Sequence, residues 1–219
     1  MAGAVFSGER KLTKAGELLA EDISLEVRGK DHPWVSRGGI KLDHGLTHFG
    51  FDVTGLVALD IGSSTGGFTD VLLSRGAAKV YAVDVGTNQL AWKIRQDTRV
   101  IVHEQTNARA LDRSIIPQAV DIVVCDASFI SLAKVLEMPL KLAKTGARLV
   151  ALIKPQFEAR REEVGKGGVV RDPLVHDRVC TEMKSWVESQ GWAVAGVVPS
   201  PITGPQGNVE FLLGAVKNA

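Results

Sequence analysis

From about residue 56 the chain alternates short runs dense in Val and Ile with amphipathic stretches, and nothing else in it constrains the fold as tightly. The runs are LVALDIG (56–62), KVYAVDVG (79–86), RVIVH (99–103), AVDIVVCDA (119–127) and RLVALI (148–153). Their period-2 polarity is weak, as in strands covered on both faces. Helix candidates lie between them, among them Phe68–Arg75 and Ser131–Lys144. Strand, helix, strand repeated in this way predicts a doubly wound parallel α/β sheet. The rhythm then breaks. DPLVHDRVCTEMKSWVESQG (172–191) opens on an Asp–Pro helix start and closes on a glycine stop. AVAGVVP (193–199) and EFLLGAVK (210–217) follow with only a Pro/Gly-rich loop between them, which predicts an antiparallel pair at one edge.

A chain of 219 residues suits one domain of moderate size with a small appendage. Lys+Arg 26 against Asp+Glu 25 leaves a net charge of +1, so any nucleic-acid binding has to rest on a local patch. Cys125 and Cys180 form no CxxC pair and read as buried free thiols in a reducing compartment. Ser7–Lys11 is polar where a signal peptide would be apolar, and no apolar segment approaches the roughly 20 residues of a membrane span. A cytoplasmic protein without membrane contact is expected. The first 35 residues are short-patterned, polar and punctuated by Gly8, Gly16 and Gly29, and they read as an accessory piece without a core.

ALDIGSSTGGFTD (58–70) joins the first of these strands to a helix. A tight β–α turn needs glycine whatever it binds, but two details favour a cofactor. Asp84 ends the next strand, where a carboxylate takes both ribose hydroxyls of a nucleoside. The glycines Gly62, Gly66 and Gly67 also miss the G-x-G-x-x-G pattern, because Ser64 stands where backbone would approach a pyrophosphate. NAD and FAD are disfavoured, and a nucleoside without phosphates, such as S-adenosylmethionine, fits better. The candidate cofactor residues are Asp60, Gly62, Ser63, Ser64, Gly66, Gly67 and Phe68 of the loop, with Asp84, Val85, Asn107 and Asp126 beyond it. Asn107 reads equally well as an adenine contact and as a turn asparagine.

Four charges stand where burial makes them costly. Asp126 ends DIVVCD and Lys154 ends LVALI, neighbouring strands in a doubly wound order, so both emerge at the carboxyl edge where such folds bind ligands. A structural salt bridge is the competing account. Lys41 lies on a helix candidate opening at Gly38 and Gly39, and Glu210 begins the final strand. Lys41, Asp126, Lys154 and Glu210 resemble the Lys–Asp–Lys–Glu tetrad of FtsJ-type RNA ribose 2′-O-methyltransferases. VSRGGIKL, LDIGSSTGGFTD, VDVGTNQLAW, CDASFISL, IKPQFE and VGKGGVVRDP, in that order, resemble signature stretches of the TlyA (haemolysin A-like) family of rRNA methyltransferases over about residues 34–217.

That resemblance implies a Rossmann-like class I methyltransferase: a mostly parallel seven-stranded sheet with an antiparallel edge strand and helices on both faces. It implies methyl transfer from S-adenosylmethionine to a ribose 2′-hydroxyl, of cytidine in ribosomal RNA, with ribosomal RNA or ribosomal subunits as partners. It divides the chain into residues 1–33, a partial N-terminal RNA-binding domain and linker, and residues 34–219, the methyltransferase domain. Residues 5–30 resemble only the tail of such an RNA-binding domain, where Lys11, Lys14, Arg28 and Lys30 are candidate phosphate contacts beside the plainer account of solvated surface charge.

The tetrad suits the chemistry. A ribose hydroxyl holds its proton far above neutral pH and must lose it as its oxygen attacks. A neutral lysine can take that proton, and lysine becomes neutral more readily when desolvated and near another cation. Lys154, held by Pro155, is the expected base, Lys41 the neighbouring cation, and Asp126 and Glu210 the orienting carboxylates. EARREEVGKGGVVRD (158–172) reads as a mobile loop whose Arg160, Arg161, Lys166 and Arg171 are candidates for RNA phosphates. Phe157 and Trp34 are candidate base-stacking aromatics. His44 and His48, at i and i+4, lack a third ligand and read as exposed helix histidines, so no metal is expected. Three alternatives stand beside the rRNA reading: a methyltransferase with another substrate; a haemolysin-type cytolysin, for which no membrane-inserting segment is evident; and a catalytically idle RNA-binding scaffold, against which a complete tetrad argues.

Overall fold

A computed structural model describes residues 4–13, 17–20, 22–28 and 32–219. Strands β1 (Ala4–Ser7), β2 (Arg10–Lys11) and β3 (Glu26–Arg28) form a small antiparallel sheet in the order β2-β1-β3. β1 and β2 are joined by Gly8 and Glu9, with Gly8 at φ 56°, the conformation a two-residue hairpin turn requires. Lys14 and Lys30 lie outside the described residues, as does the side chain of Arg28, and Lys11 is exposed.

Helix α1 (Gly38–His48) leads into the main sheet. The elements then run β4 (Val57–Ile61), α2 (Gly67–Ser74), β5 (Lys79–Val83), α3 (Trp92–Arg95), β6 (Val100–His103), β7 (Val120–Cys125), α4 (Leu132–Lys141) and β8 (Ala143–Ile153). A short α5 (Pro155–Glu158), the long α6 (Pro173–Ser189) and strands β9 (Trp192–Pro199) and β10 (Phe211–Lys217) complete the chain. The seven strands stand in the order β6-β5-β4-β7-β8-β10-β9. β6 to β8 pair in parallel, and β10 runs antiparallel to both β8 and β9. This is the mostly parallel Rossmann-like sheet expected from the sequence, with one refinement: the antiparallel strand lies one position in from the edge. β10 is the more apolar of the last two strands, and burying Leu212, Leu213 and Ala215 on both faces needs a neighbour on each side.

Helices cover both faces. Leu136, Val123, Leu149, Val179 and Trp192 pack on the side of α4 and α6, and Leu42, Leu46, Leu72, Ile122, Val150 and Leu212 on the side of α1 and α2. Each such side chain, fully removed from water, contributes about 1.5–3 kcal/mol before entropy is charged against it. α6 starts as its sequence dictates: Pro173 occupies its first position, and the Asp172 side chain accepts from Leu174 N at 2.9 Å. α4 stops earlier than expected, at Lys141, and β8 begins at Ala143 rather than near residue 148. Lys217 explains the stop, since its Nζ donates to the carbonyls of Leu140 (3.1 Å) and Ala143 (2.8 Å) and so satisfies the helix end.

The chain grows outward from β4 in one direction to β5 and β6 and in the other to β7 and β8. The switch point therefore falls between the carboxyl ends of β4 and β7, where doubly wound sheets open a crevice. Gly62 follows β4 there and Asp126 follows β7.

Candidate active site

Two cavities meet at this crevice. The larger, about 530 Å³, lies over the ends of β4, β5 and β7. The smaller, about 290 Å³, lies between the start of α1 and the ends of β7, β8 and the segment before β10. Gly62, Ser64, Asp126 and Ser128 line both, so these four residues mark the boundary.

The loop after β4 is shaped by backbone needs. Gly66 caps α2 at φ 97°, and Gly62 sits at φ 78° with so little room that a Cβ would lie 2.9 Å from Ala127 Cα. Ser64 adopts φ 45°, and its N–H donates to Asp84 Oδ2 at 2.8 Å while Gly86 N–H donates to Oδ1 at 2.7 Å. Asp84 thus ties two loops together, and each carboxylate oxygen keeps a lone pair for a ribose hydroxyl. Of the expected cofactor residues, Gly62, Ser64, Asp84, Val85, Asn107 and Asp126 line the larger cavity. Ser63, Gly67 and Phe68 line the smaller one instead, and Asp60 and Gly66 line neither. The Asn107 side chain accepts from Arg109 N at 3.0 Å, so it caps a turn while facing the cavity. The apolar walls, from Val83, Ile130 and Val135, and the polar groups of Asp84, Gln89 and Asn107 suit a nucleoside of moderate size.

Asp60 lies beneath the loop, wholly buried. Thr69 Oγ1 donates to its Oδ2 at 2.6 Å, and its Oδ1 has no partner. Burial, aided by the charge of Asp126, pushes its pKa up to about 7 against the opposing effect of the Thr69 hydrogen bond.

The four charges converge on the smaller cavity. Lys41 comes from the packed face of α1, beside Leu42, Gly45 and Leu46, so the helix that buries them carries the ammonium inward. Its Nζ lies 2.6 Å from Glu210 Oε2; Lys41 is 7% exposed and Glu210 1%. Lys154 follows β8 directly, 7% exposed, with Nζ 2.7 Å from Asp126 Oδ1, 3.1 Å from the Asp126 carbonyl oxygen and 2.8 Å from Ser128 Oγ. Glu210 immediately precedes β10 and is held against Gly204, where a Cβ would lie 2.2 Å from Oε1. A buried ion pair and a part-buried one facing one cavity are a costly arrangement, because taking each ion out of water costs several kcal/mol while the pair's net worth to the fold is small.

Sequence reasoning missed several residues here. Ser128 and Phe129 follow the end of β7; Phe129 lines the larger cavity at φ 64° and is 91% exposed. Arg37, at the start of α1, lines the smaller cavity and donates to the Thr203 carbonyl at 3.1 Å. Position directly after a parallel strand was the available signal for Ser128 and Phe129. Neither Trp34 nor Phe157 is among the lining residues: Trp34 packs over Gly39, and the Phe157 ring lies 5.1 Å from that of Phe129. Arg160, Arg161, Lys166 and Arg171 are exposed, on a loop that Asn208 contacts at two backbone groups. Asn208 accepts from Val170 N at 3.2 Å and donates to the Gly168 carbonyl at 3.0 Å. His44 and His48 are exposed on α1, and no group of metal-ligating side chains occurs among the described residues. Both cysteines are free, Cys125 buried and Cys180 half-buried. Among the described residues no helix is long and apolar enough to cross a membrane.

Comparison with known proteins agrees with this geometry. Residues 34–217 match the family model described as FtsJ-like methyltransferase. The chain is 50% identical over 213 residues to the 16S/23S rRNA (cytidine-2'-O)-methyltransferase TlyA of Mycobacterium tuberculosis, covering 97% of this chain and 80% of that protein. It is equally 50% identical over 214 residues to a candidate rRNA methyltransferase, YqxC, of Bacillus subtilis, covering 97% and 76%. A solved structure of a candidate hemolysin from Lactococcus lactis superposes with a TM-score of 0.82 at 48% identity, covering 84% of this chain and 89% of that one. By family model, sequence and fold, the chain belongs to the FtsJ-like methyltransferases.

Proposed function

We propose that this protein transfers a methyl group from S-adenosylmethionine to the ribose 2′-hydroxyl of a cytidine in ribosomal RNA, acting on RNA or on ribosomal subunits in the cytoplasm. The observation that carries the reading is the convergence of Lys41, Asp126, Lys154 and Glu210 on one cavity that shares a wall with a nucleoside-sized one. Kinship with a curated rRNA (cytidine-2'-O)-methyltransferase at 50% identity supports the choice of substrate.

Asp84, Asn107 and the loop around Gly62 and Ser64 would hold the cofactor in the larger cavity. Bound there, it supplies an electrophilic methyl group that brings no bonding electrons, so the acceptor oxygen must provide the pair. The tetrad's task is to free that pair. Lys154 takes the hydroxyl proton; Asp126 fixes Lys154 in place; Glu210 fixes Lys41, whose ammonium steadies the charge growing on the oxygen. General-base assistance of this kind is worth about 10²–10⁴-fold, and alignment of the two reactants adds more. Residues 34–219 form the catalytic unit in this reading, and residues 1–33 contribute to RNA contact.

The test is transfer of labelled methyl to unmethylated ribosomal subunits by the protein and by Lys154→Ala, with the product located by alkaline-hydrolysis mapping. Lysine-dependent label at a cytidine ribose is expected. Methyl transfer that survives Lys154→Ala would remove the base from the mechanism, and absence of cofactor binding would remove the methyltransferase assignment for this chain. The hemolysin names among its relatives predict instead a lytic activity indifferent to Lys154, which red-cell lysis by the same variant decides.

A further inference from the structure

Lys154 is surrounded by three oxygens, and only one of them has a proton to give. Asp126 Oδ1, an ion-pair contact at 2.7 Å, and the Asp126 carbonyl oxygen, which accepts from Nζ at 3.1 Å, have no proton to donate. Ser128 Oγ, at 2.8 Å, can do either. A base must be an amine, with two N–H bonds and a lone pair. Of the three neighbours only Ser128 has a proton to give to that lone pair, and it is hydrogen-bonded to Nζ.

The location of Ser128 gives this pairing a use. Its residue is exposed, whereas Lys154 is 7% exposed. It lines both cavities and so stands at the boundary where an acceptor hydroxyl and a methyl donor have to meet. Of the four residues on that boundary, Asp126 and Ser128 contact the lysine, and Ser128 alone does so through a group that both accepts and donates.

Resting on the methyltransferase reading above, we propose that Ser128 is a catalytic residue, the proton relay between the substrate hydroxyl and Lys154. The substrate O–H bond breaks and its proton passes to Ser128 Oγ. The proton that Ser128 carried passes to Lys154 Nζ, leaving Ser128 a neutral hydroxyl and Lys154 an ammonium. The electron pair of the broken O–H bond stays on the substrate oxygen for its new bond to carbon. No other proton carrier is needed, and the ammonium loses its proton to solvent after turnover.

The test compares Ser128→Ala, Ser128→Thr and Lys154→Met in two measurements. The first is steady-state methyl transfer to ribosomal subunits, with cofactor Kd determined separately by calorimetry. Ser128→Ala is expected to lower kcat about 10²-fold, the low end of proton-transfer assistance, with cofactor Kd and RNA KM held within about threefold, and Ser128→Thr to recover most of the rate. The second is exchange of the Lys154 ammonium protons with water in the protein without cofactor, followed by ¹⁵N NMR and assigned through their absence in Lys154→Met. Exchange should quicken about tenfold or more in Ser128→Ala and remain slow in Ser128→Thr. An unchanged kcat in Ser128→Ala, while Lys154→Met is inactive, overturns the relay and leaves the methyltransferase reading standing. A loss carried by cofactor Kd overturns it too, because Ser128 is then only a cavity wall. Full activity of Lys154→Met overturns both.

Discussion

Replacing Asp60 by asparagine tests the electrostatics beneath the cofactor loop. The carboxyl is wholly buried, and burial raises its pKa from 3.8 to about 7. Between those values the native state keeps a proton that the unfolded chain has released, so stability falls as pH rises through the window and is lost in full above it. Each unit of displacement corresponds to about 1.4 kcal/mol, which makes the whole effect about 4 kcal/mol. Between pH 5 and pH 8 the linkage relation leaves roughly 2–3 kcal/mol of it to be seen. Asparagine cannot ionise, so Asp60→Asn should show none of this decline. The substitution also has a pH-independent cost: the Thr69 hydroxyl still finds an acceptor, but an amide N–H₂ falls where Oδ1 has no partner, a penalty of about 1–3 kcal/mol. That offset cancels when the two proteins are compared at two pH values. Urea unfolding at pH 5 and pH 8 therefore suffices, with the variant expected to gain on the parent by two to three kcal/mol between them. An identical gap at both pH values would show that Asp60 ionises as it does in the unfolded chain, and the account of the loop's buried acid would fail.

Two further predictions concern Glu210. Gly204→Ala places a methyl 2.2 Å from Glu210 Oε1 and 2.7 Å from Cδ, which must push the carboxylate off Lys41; methyl transfer should fall about 10²-fold, with a stability loss of about 1–3 kcal/mol measured by urea melt. Lys41→Met leaves Glu210, 1% exposed, without its counter-ion, and should cost about 3–5 kcal/mol. Adding Glu210→Gln should return most of that stability and none of the methyl transfer, which separates the pair's part in the fold from its part in the reaction.

The sequence makes legible whatever depends on local pattern. β4 to β7 lie within the runs of Val and Ile, and α6 begins at the Asp–Pro pair that announces it. What pattern conceals is decided by partners distant in the chain. Ala143 and Lys144 fall within the helix candidate Ser131–Lys144 and the apolar run starts at Arg148, yet AKTGA (143–147) opens β8, because Lys217 ends α4 just before it and Val120 pairs with Ala143. The hairpin of β1 and β2 carried a Gly-Glu turn signal that the polar composition around it obscured. Within the site the same division holds. A lysine at the end of an apolar strand is conspicuous on its own, so Lys154 and Asp126 stand out. Glu210 is conspicuous only beside Lys41, 169 residues away, and Gly204 only beside Glu210. Ser128 is a common residue in a common kind of loop until the lysine's three neighbours are counted. Chemistry that resides in one expensive residue can be found by reading along the chain. Chemistry that resides in the direction of a hydrogen bond requires the fold, because only the fold shows which of an amine's neighbours can return a proton.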